Sequence, residues 1–253
     1  MATYKKTGVK GNKAQNNVED NSTTAEVFKK LDSTASRSEQ WVIKNQKIIY
    51  IFVGAVVAFI LGYLAYQKYV KGPQEKEAAN ELAFPKQYFE KAINDEMAAD
   101  SLFTIGLNGA DGKYGFIDIV DKYSGTAAGN LANYYAGISF LRTKKYKEAI
   151  EYLEDFSSDD ELLAPIAKGS IGDAFADINQ PEDALNYYLK AGNLRDNNFT
   201  SPLYLFKAGN TAMELEKFDK ALDIFTRIKD EYPNSDEAKN IDIYINKAAH
   251  ASK

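Results

Sequence analysis

Residues 134–156 read YYAGISFLRTKKYKEAIEYLEDF, and the phrase returns twice further along the chain. Within it Gly137 is followed twelve residues later by Ala149. Gly172 with Ala184 and Gly209 with Ala221 repeat the pair at the same separation, and the units are 35 and 37 residues apart. Small residues at a fixed spacing mark places where two helices cross too closely for a larger side chain. Each unit has its turn: Thr143-Lys144-Lys145-Tyr146, Asn179-Gln180-Pro181-Glu182 and Glu216-Lys217-Phe218-Asp219. Each second helix opens alike, on Ala149-Ile150-Glu151-Tyr152, Ala184-Leu185-Asn186-Tyr187 and Ala221-Leu222-Asp223-Ile224. Phe140, Leu153 and Phe156, then Ile171, Phe175 and Tyr188, then Leu205, Phe225 and Ile228 fill out the apolar faces, and Pro233 stops the last helix.

A helix pair of this length, with small residues at the crossing, resembles the tetratricopeptide repeat (TPR) of about 34 residues. Together with the apolar stretch at 48–66, the resemblance gives an expected all-α chain: a single N-terminal transmembrane helix, then a TPR-like α-solenoid of about four helix pairs with a C-terminal capping helix. The regular repeats are expected at about 130–163, 165–198 and 202–235, inside a domain spanning 71–253. A degenerate earlier unit is expected at 80–124, its first helix running from Glu75 to Ile105 and its second from Tyr114 to Tyr123. Between them Asn108-Gly109-Ala110-Asp111-Gly112 reads as a turn; it lacks the Lys-Ser/Thr of a phosphate loop and the spaced carboxylates of a calcium loop. After Pro233, Ser235 is placed to cap a helix over 235–250 that carries Asp236 and Glu237 in its first turn and Ile241, Ile243, Tyr244 and Ile245 beyond. Such a helix closes the open end of a solenoid.

Upstream, residues 48–66 read IIYIFVGAVVAFILGYLAY, nineteen positions without a charge. A hydrocarbon core about 30 Å thick takes about 20 apolar residues as a helix. Trp41, Tyr50, Tyr63, Tyr66 and Tyr69 bracket the stretch or lie near its ends, as interfacial aromatics do. A polar stretch of 47 residues precedes it and no small-residue cleavage site follows, so the segment reads as an uncleaved signal-anchor within a juxtamembrane and membrane region at 38–70. Ser38 is placed to cap the helix that runs into it. Cations close to the stretch are nearly balanced, with Lys29, Lys30, Arg37, Lys44 and Lys47 against Lys68, Lys71, Lys76 and Lys86. Lys5, Lys6, Lys10 and Lys13 tip the count towards a cytoplasmic N-terminus. The tail, residues 1–37, is polar and expected to be unstructured, with one short amphipathic piece at 25–31. Gly54, Ala58 and Gly62 share one helix face at the small-xxx-small spacing that lets another membrane helix approach; glycine and alanine are also common in membrane helices for other reasons.

Charge and composition narrow the function. The first 47 residues carry nine Lys/Arg against five Asp/Glu; the remainder carries 22 against 31, a poor match to nucleic acid. The chain has no cysteine, which removes disulfides, thiolate nucleophiles and iron–sulfur clusters. Its single histidine, His250, lies near the C-terminus, so histidine-based metal centres and triads are not expected. No nucleophile, base and oxyanion site come together in the sequence, and a non-enzyme without cofactor or small-molecule substrate is expected. Asp159-Asp160-Glu161 falls in an inter-repeat loop, where solvation and capping account for it.

Stacked helix pairs expose a concave surface built mainly from first helices. The register places Tyr134, Ile138 and Arg142, then Asp173 and Asp177, then Phe206, Asn210 and Met213 as candidate partner-binding positions. Ile138, Phe206 and Met213 equally suit plain inter-helix packing. The set lacks the clustered cations of a clamp for a peptide's terminal carboxylate.

With anchor and repeats together, the chain resembles the YfgM-like bacterial inner-membrane tetratricopeptide proteins over residues 36–250. The strings Glu39-Gln40-Trp41-Val42-Ile43-Lys44-Asn45-Gln46-Lys47, Tyr123-Ser124-Gly125-Thr126-Ala127-Ala128-Gly129-Asn130-Leu131-Ala132 and Tyr134-Tyr135-Ala136-Gly137 carry the likeness. That resemblance implies a single-pass inner-membrane protein with a periplasmic repeat domain. Its implied partners are Sec translocon subunits, periplasmic chaperones or emerging secretory clients. The long polar tail departs from shorter family N-termini. A structural subunit of another envelope complex and a cytosol-facing import receptor on an organelle surface are the alternatives.

Overall fold

The computed structural model describes residues 23–252, and those residues fall into two units divided between Ala65 and Tyr66. The first is a single helix, α1 (Thr23–Tyr66, its last residue counted with the second unit). It is the one helix among the described residues long and apolar enough to cross a membrane, and its apolar window is wholly exposed. Ile51 and Phe59 are 72% and 76% exposed, a surface that water penalises and lipid does not. Ser38 was expected at a helix start; α1 runs through it without interruption. Residues 23–37 of the expected unstructured tail are likewise helical, and residues 1–22 lie outside the described residues.

The second unit is all helix apart from one isolated backbone bridge between Ala110 and Lys113. It begins with a π-helical turn at Gln67–Lys71, then α2 (Gly72–Asn94), α3 (Ala99–Asn108) and α4 (Phe116–Lys122). The regular pairs follow: α5 (Ala127–Arg142) with α6 (Tyr146–Asp155), α7 (Leu163–Asp177) with α8 (Pro181–Leu194), and α9 (Thr200–Glu214) with α10 (Phe218–Glu231). A 3-10 turn at Glu237–Asn240 leads into α11 (Ile241–Ala251), and Ser235 Oγ accepts the Ala238 N–H at 3.2 Å.

The three pairs are built alike down to single atoms. Lys144, Asn179 and Glu216 occupy equivalent turn positions with φ of 62°, 59° and 57°. The following amides, of Lys145, Gln180 and Lys217, each donate to a carbonyl five residues back at 2.8 Å. This is the Schellman arrangement that satisfies the last carbonyls of a helix. At the crossings, a Cβ added to Gly137, Gly172 or Gly209 would stand 2.4, 2.6 and 2.4 Å from Leu153, Tyr188 and Phe225. Each of those partners lies sixteen residues further along, four beyond the alanine of the sequence motif and so on the same face of the second helix.

The segment before them is built differently. The first helix expected from Glu75 to Ile105 is two helices, because the Asp95 carboxylate accepts the Met97 and Ala98 amides at 3.2 Å and turns the chain. The second starts at Phe116, where Asp118 accepts the Gly115 amide at 3.0 Å. Phe89, Phe103, Phe116 and Tyr135 fill the centre, with Phe89 edge-on to Phe103 and Tyr135 at 5.6 and 4.8 Å and Phe116 stacked on Tyr135 at 5.3 Å.

Hydrogen bonds run along the edge where the first helices begin. The Glu75 carboxylate takes the Ala127 and Ala128 amides at the start of α5, and the buried Tyr123 donates to Glu77 at 2.9 Å. Asn130 exchanges bonds with Ser157, Arg195 pairs with Asp159 at 2.8 Å, and Tyr232 donates to Asp196 at 2.6 Å. Each bond ties one unit to the next, the nearest-neighbour coupling that makes a repeat array cooperative.

Candidate partner-binding groove

A cavity of about 690 Å³ opens where the first helices of successive pairs line up. It takes Tyr134, Ile138 and Arg142 from α5, Ser170, Asp173 and Asp177 from α7, and Tyr204 from α9. The C-terminal half of α2 contributes Phe89 and Ile93. Residues four apart on one helix share a face. Periodicity alone therefore aligned Tyr134, Ile138 and Arg142, and separately Asp173 and Asp177.

The interior is aromatic with one fixed ion pair. Lys207 Nζ reaches both Asp173 oxygens at 2.7 and 2.9 Å, and the Tyr188 hydroxyl donates to the same carboxylate at 2.7 Å. The Lys207 ammonium also stands 5.6 and 5.7 Å from the ring centres of Tyr188 and Tyr204. Burial first, and the Asp173 charge second, push both phenols well above their ordinary pKa, so they are neutral donors at physiological pH. Burial and the neighbouring Asp177 carboxylate also raise Tyr146 at the rim. Tyr134 lies against Phe156 at 5.2 Å, half-buried, and burial raises its pKa too.

The predicted positions divide into two groups. Tyr134, Ile138, Arg142, Asp173 and Asp177 line this one cavity. Phe206 does not: its ring packs on Tyr244 at 4.8 Å and Phe225 at 6.0 Å, between α9, α10 and the capping helix. Asn210 and Met213 line a separate cavity of about 480 Å³ with Phe218, Phe225, Tyr244 and Lys247. The capping helix occupies the place of a further first helix, and the concave surface ends there. Gly54, Ala58 and Gly62 are exposed on α1, and a Cβ added at Gly54 or Gly62 would meet nothing within 4 Å.

Sequence reasoning missed Phe89, Ile93, Tyr146 and Tyr188 as groove residues, and Lys207 as the partner of Asp173. Three signals were present: Tyr188 sits at the crossing partner of Gly172, Tyr146 ends the first turn, and Lys207 is 34 residues from Asp173, about one repeat. Gly169 was missed as well; its missing side chain leaves room for the Tyr204 ring, which a Cβ there would overlap. Among the described residues no group of three His, Asp or Glu side chains is arranged to hold a metal ion.

Residues 131–159 and 204–235 match the tetratricopeptide repeat family. The two matched segments cover α5 with α6 and α9 with α10, and the pair between them has the same turns and crossing. The second unit is therefore a TPR-like helical solenoid, an architecture that points to protein–protein interaction. No curated protein matches the chain.

Proposed function

We propose that this protein is a non-catalytic, membrane-tethered adaptor whose groove holds protein partners on the periplasmic side of a bacterial inner membrane. Its partners in this reading are Sec translocon subunits, periplasmic chaperones or secretory clients emerging from the translocon. The single observation that carries the proposal is the 690 Å³ groove assembled from consecutive first helices, aromatic inside and charged at its rim. Aromatic, amphipathic surface with a few fixed polar groups is what protein recognition uses. The exposed apolar helix α1 supplies the tether. Confinement at the membrane raises the effective concentration of groove and partner, so individually weak contacts suffice. The translocon and the periplasm come from the YfgM-like resemblance and the charge count around the anchor.

Photo-crosslinking from positions 134 and 138 in intact cells tests this reading. Translocon subunits, periplasmic chaperones or secretory proteins are the expected products. Cytosolic proteins alone would reverse the orientation and favour the import-receptor alternative, which protease accessibility of residues 67–253 decides independently. The open positions at Gly54 and Gly62 favour a second reading, a structural subunit that joins other membrane helices. Replacing Gly54, Ala58 and Gly62 together by leucine then abolishes co-purification of the complex; unchanged co-purification removes that reading.

A further inference from the structure

We infer that the groove selects an acidic partner segment, one that seats aromatic or aliphatic side chains among Tyr134, Ile138 and Tyr146 and sets carboxylates against the turn at its lip. The inference rests on the groove reading above and adds the chemistry of the occupant.

The lip is residues 142–147, RTKKYK. Arg142, Lys144, Lys145 and Lys147 are all exposed, and among the described residues none of the four makes an ion pair. Arg195, Lys207, Lys217, Arg227, Lys229 and Lys239 each hold a carboxylate. Acid groups outnumber bases 31 to 22 beyond residue 66, so four cations within the six residues 142–147 stand against the net charge of the domain. Two of its cations, Arg142 and Lys144, line the cavity itself, and Lys145 stands 5.8 Å from the Phe140 ring.

The acids facing the turn do not cancel it. Asp173 is neutralised by Lys207 and bonded by Tyr188. Asp177 is the other carboxylate lining the groove, beside Tyr146. Among the cavity-lining groups, Arg142 and Lys144 stand unpaired against Asp177, which leaves the lip positive within an otherwise acidic domain. Complementary potential steers encounter and fixes register, and an arginine presents a planar fork to a carboxylate. The apolar part of the same segment would bury against the aromatic floor, so charge and apolar contact recognise one ligand together.

A polypeptide segment fits better than a lipid surface, because the site is a concave cavity of about 690 Å³ with an aromatic interior, which an inserted chain can fill and a flat bilayer cannot.

Full-length protein in nanodiscs of zwitterionic lipid, with fluorescence anisotropy as the readout, tests the inference. The probes are a short labelled peptide alternating Glu/Asp with Phe/Leu, its analogue with Lys for every acid, and its analogue with Ser for every Phe and Leu. The acidic-aromatic peptide is expected to bind at least about tenfold more tightly than either analogue and to weaken as salt rises. Arg142→Glu with Lys144→Glu removes that preference, while Lys220→Glu, an exposed cation outside the groove, leaves it intact. Equal binding of the acidic and lysine peptides overturns the inference and leaves the groove reading standing. Absence of peptide binding overturns the inference too, and joined to empty crosslinks from positions 134 and 138 it removes the groove reading as well. Loss of binding to phosphatidylglycerol vesicles in the double variant, without peptide binding, assigns the turn to lipid. Self-association abolished by the same variant, and not competed by peptide, assigns it to a second copy. Either result overturns the inference.

Discussion

The pairs α5 to α10 and the segment α2 to α4 solve one packing problem in two ways. In the pairs, helices meet over a glycine, and the side chain sixteen residues later fills the space. Leu153, Tyr188 and Phe225 take that role in turn, so the joint tolerates different fillers provided the glycine stays. In α2 to α4 the order is reversed. Three phenylalanines and Tyr135 form the centre, and the backbone breaks at Asp95 and again near Gly109 to wrap around them. A repeat fixes its geometry through spacing; the irregular segment fixes it through volume. Each is therefore vulnerable to a different kind of substitution.

The largest expected effect is on the volume side. Phe116→Ala removes a fully buried ring and costs about 3–5 kcal/mol, read from the denaturation midpoint of the protein in detergent. A cost below about 1 kcal/mol would mean that the aromatic cluster is not the centre of this segment. On the spacing side, Gly172→Ala drives a Cβ to 2.6 Å from the Tyr188 ring, and overpacking costs about 1–3 kcal/mol. The double variant with Tyr188→Leu recovers part of it if the crossing is the cause.

The junction between the two regions comes next. Glu75→Ala leaves the first amides of α5 without their acceptor and costs about 1 kcal/mol, as for a lost N-cap, with Glu75→Gln recovering only part. The smallest expected effect has the opposite sign. Glu216→Gly relieves a left-handed residue with φ of 57° and stabilises by up to about 1 kcal/mol. The same change at Asp111, φ 52° in the irregular segment, tests whether the two regions share this strain.

High pH probes both regions, since burial and Glu77 also raise Tyr123 at the end of α4. Tyr187, held by burial and the Glu154 carboxylate, is pushed up to about 12, and Tyr188 and Tyr204 are raised as well. A raised pKa means the folded state binds the proton more tightly than the unfolded chain. The stability it provides is complete below about pH 10 and is lost as pH rises through the folded values. Tyrosinate absorbance should therefore appear late for these groups and coincide with loss of helical signal. Simple titration near pH 10 with the helices intact would contradict the burial of the repeat tyrosines.

The regular pairs were legible from sequence because the motif is the contact: Gly137, Gly172 and Gly209 announce their own crossings. The groove was half legible for a related reason. Positions four apart fall on one face, which aligned Tyr134, Ile138 and Arg142. Periodicity does not show where the concave surface ends, so Phe206 was placed with them although the capping helix covers it with Tyr244. Nor does periodicity show long-range partners. Phe89 and Ile93 reach the groove from α2, more than forty residues upstream of Tyr134, and no spacing rule connects them. The break at Asp95 was hidden because an Asx turn needs one carboxylate and two amides, a signal too short to stand out inside a long helical stretch.

The clasp between Glu75 and the start of α5 also sets an order of events during synthesis. Glu75 and Ala127 are 52 residues apart, and the buried face of α2, with Ala78, Leu82 and Phe89, is covered first by α3 and completed by α4 and α5. A ribosome making the chain releases α2 well before the residues that will shelter it. For that interval the apolar face of α2 stands uncovered, and its protection depends on how fast the following residues arrive. Slowing elongation between codons 95 and 127 should lengthen that exposure, and aggregation or proteolysis of the nascent chain would report it.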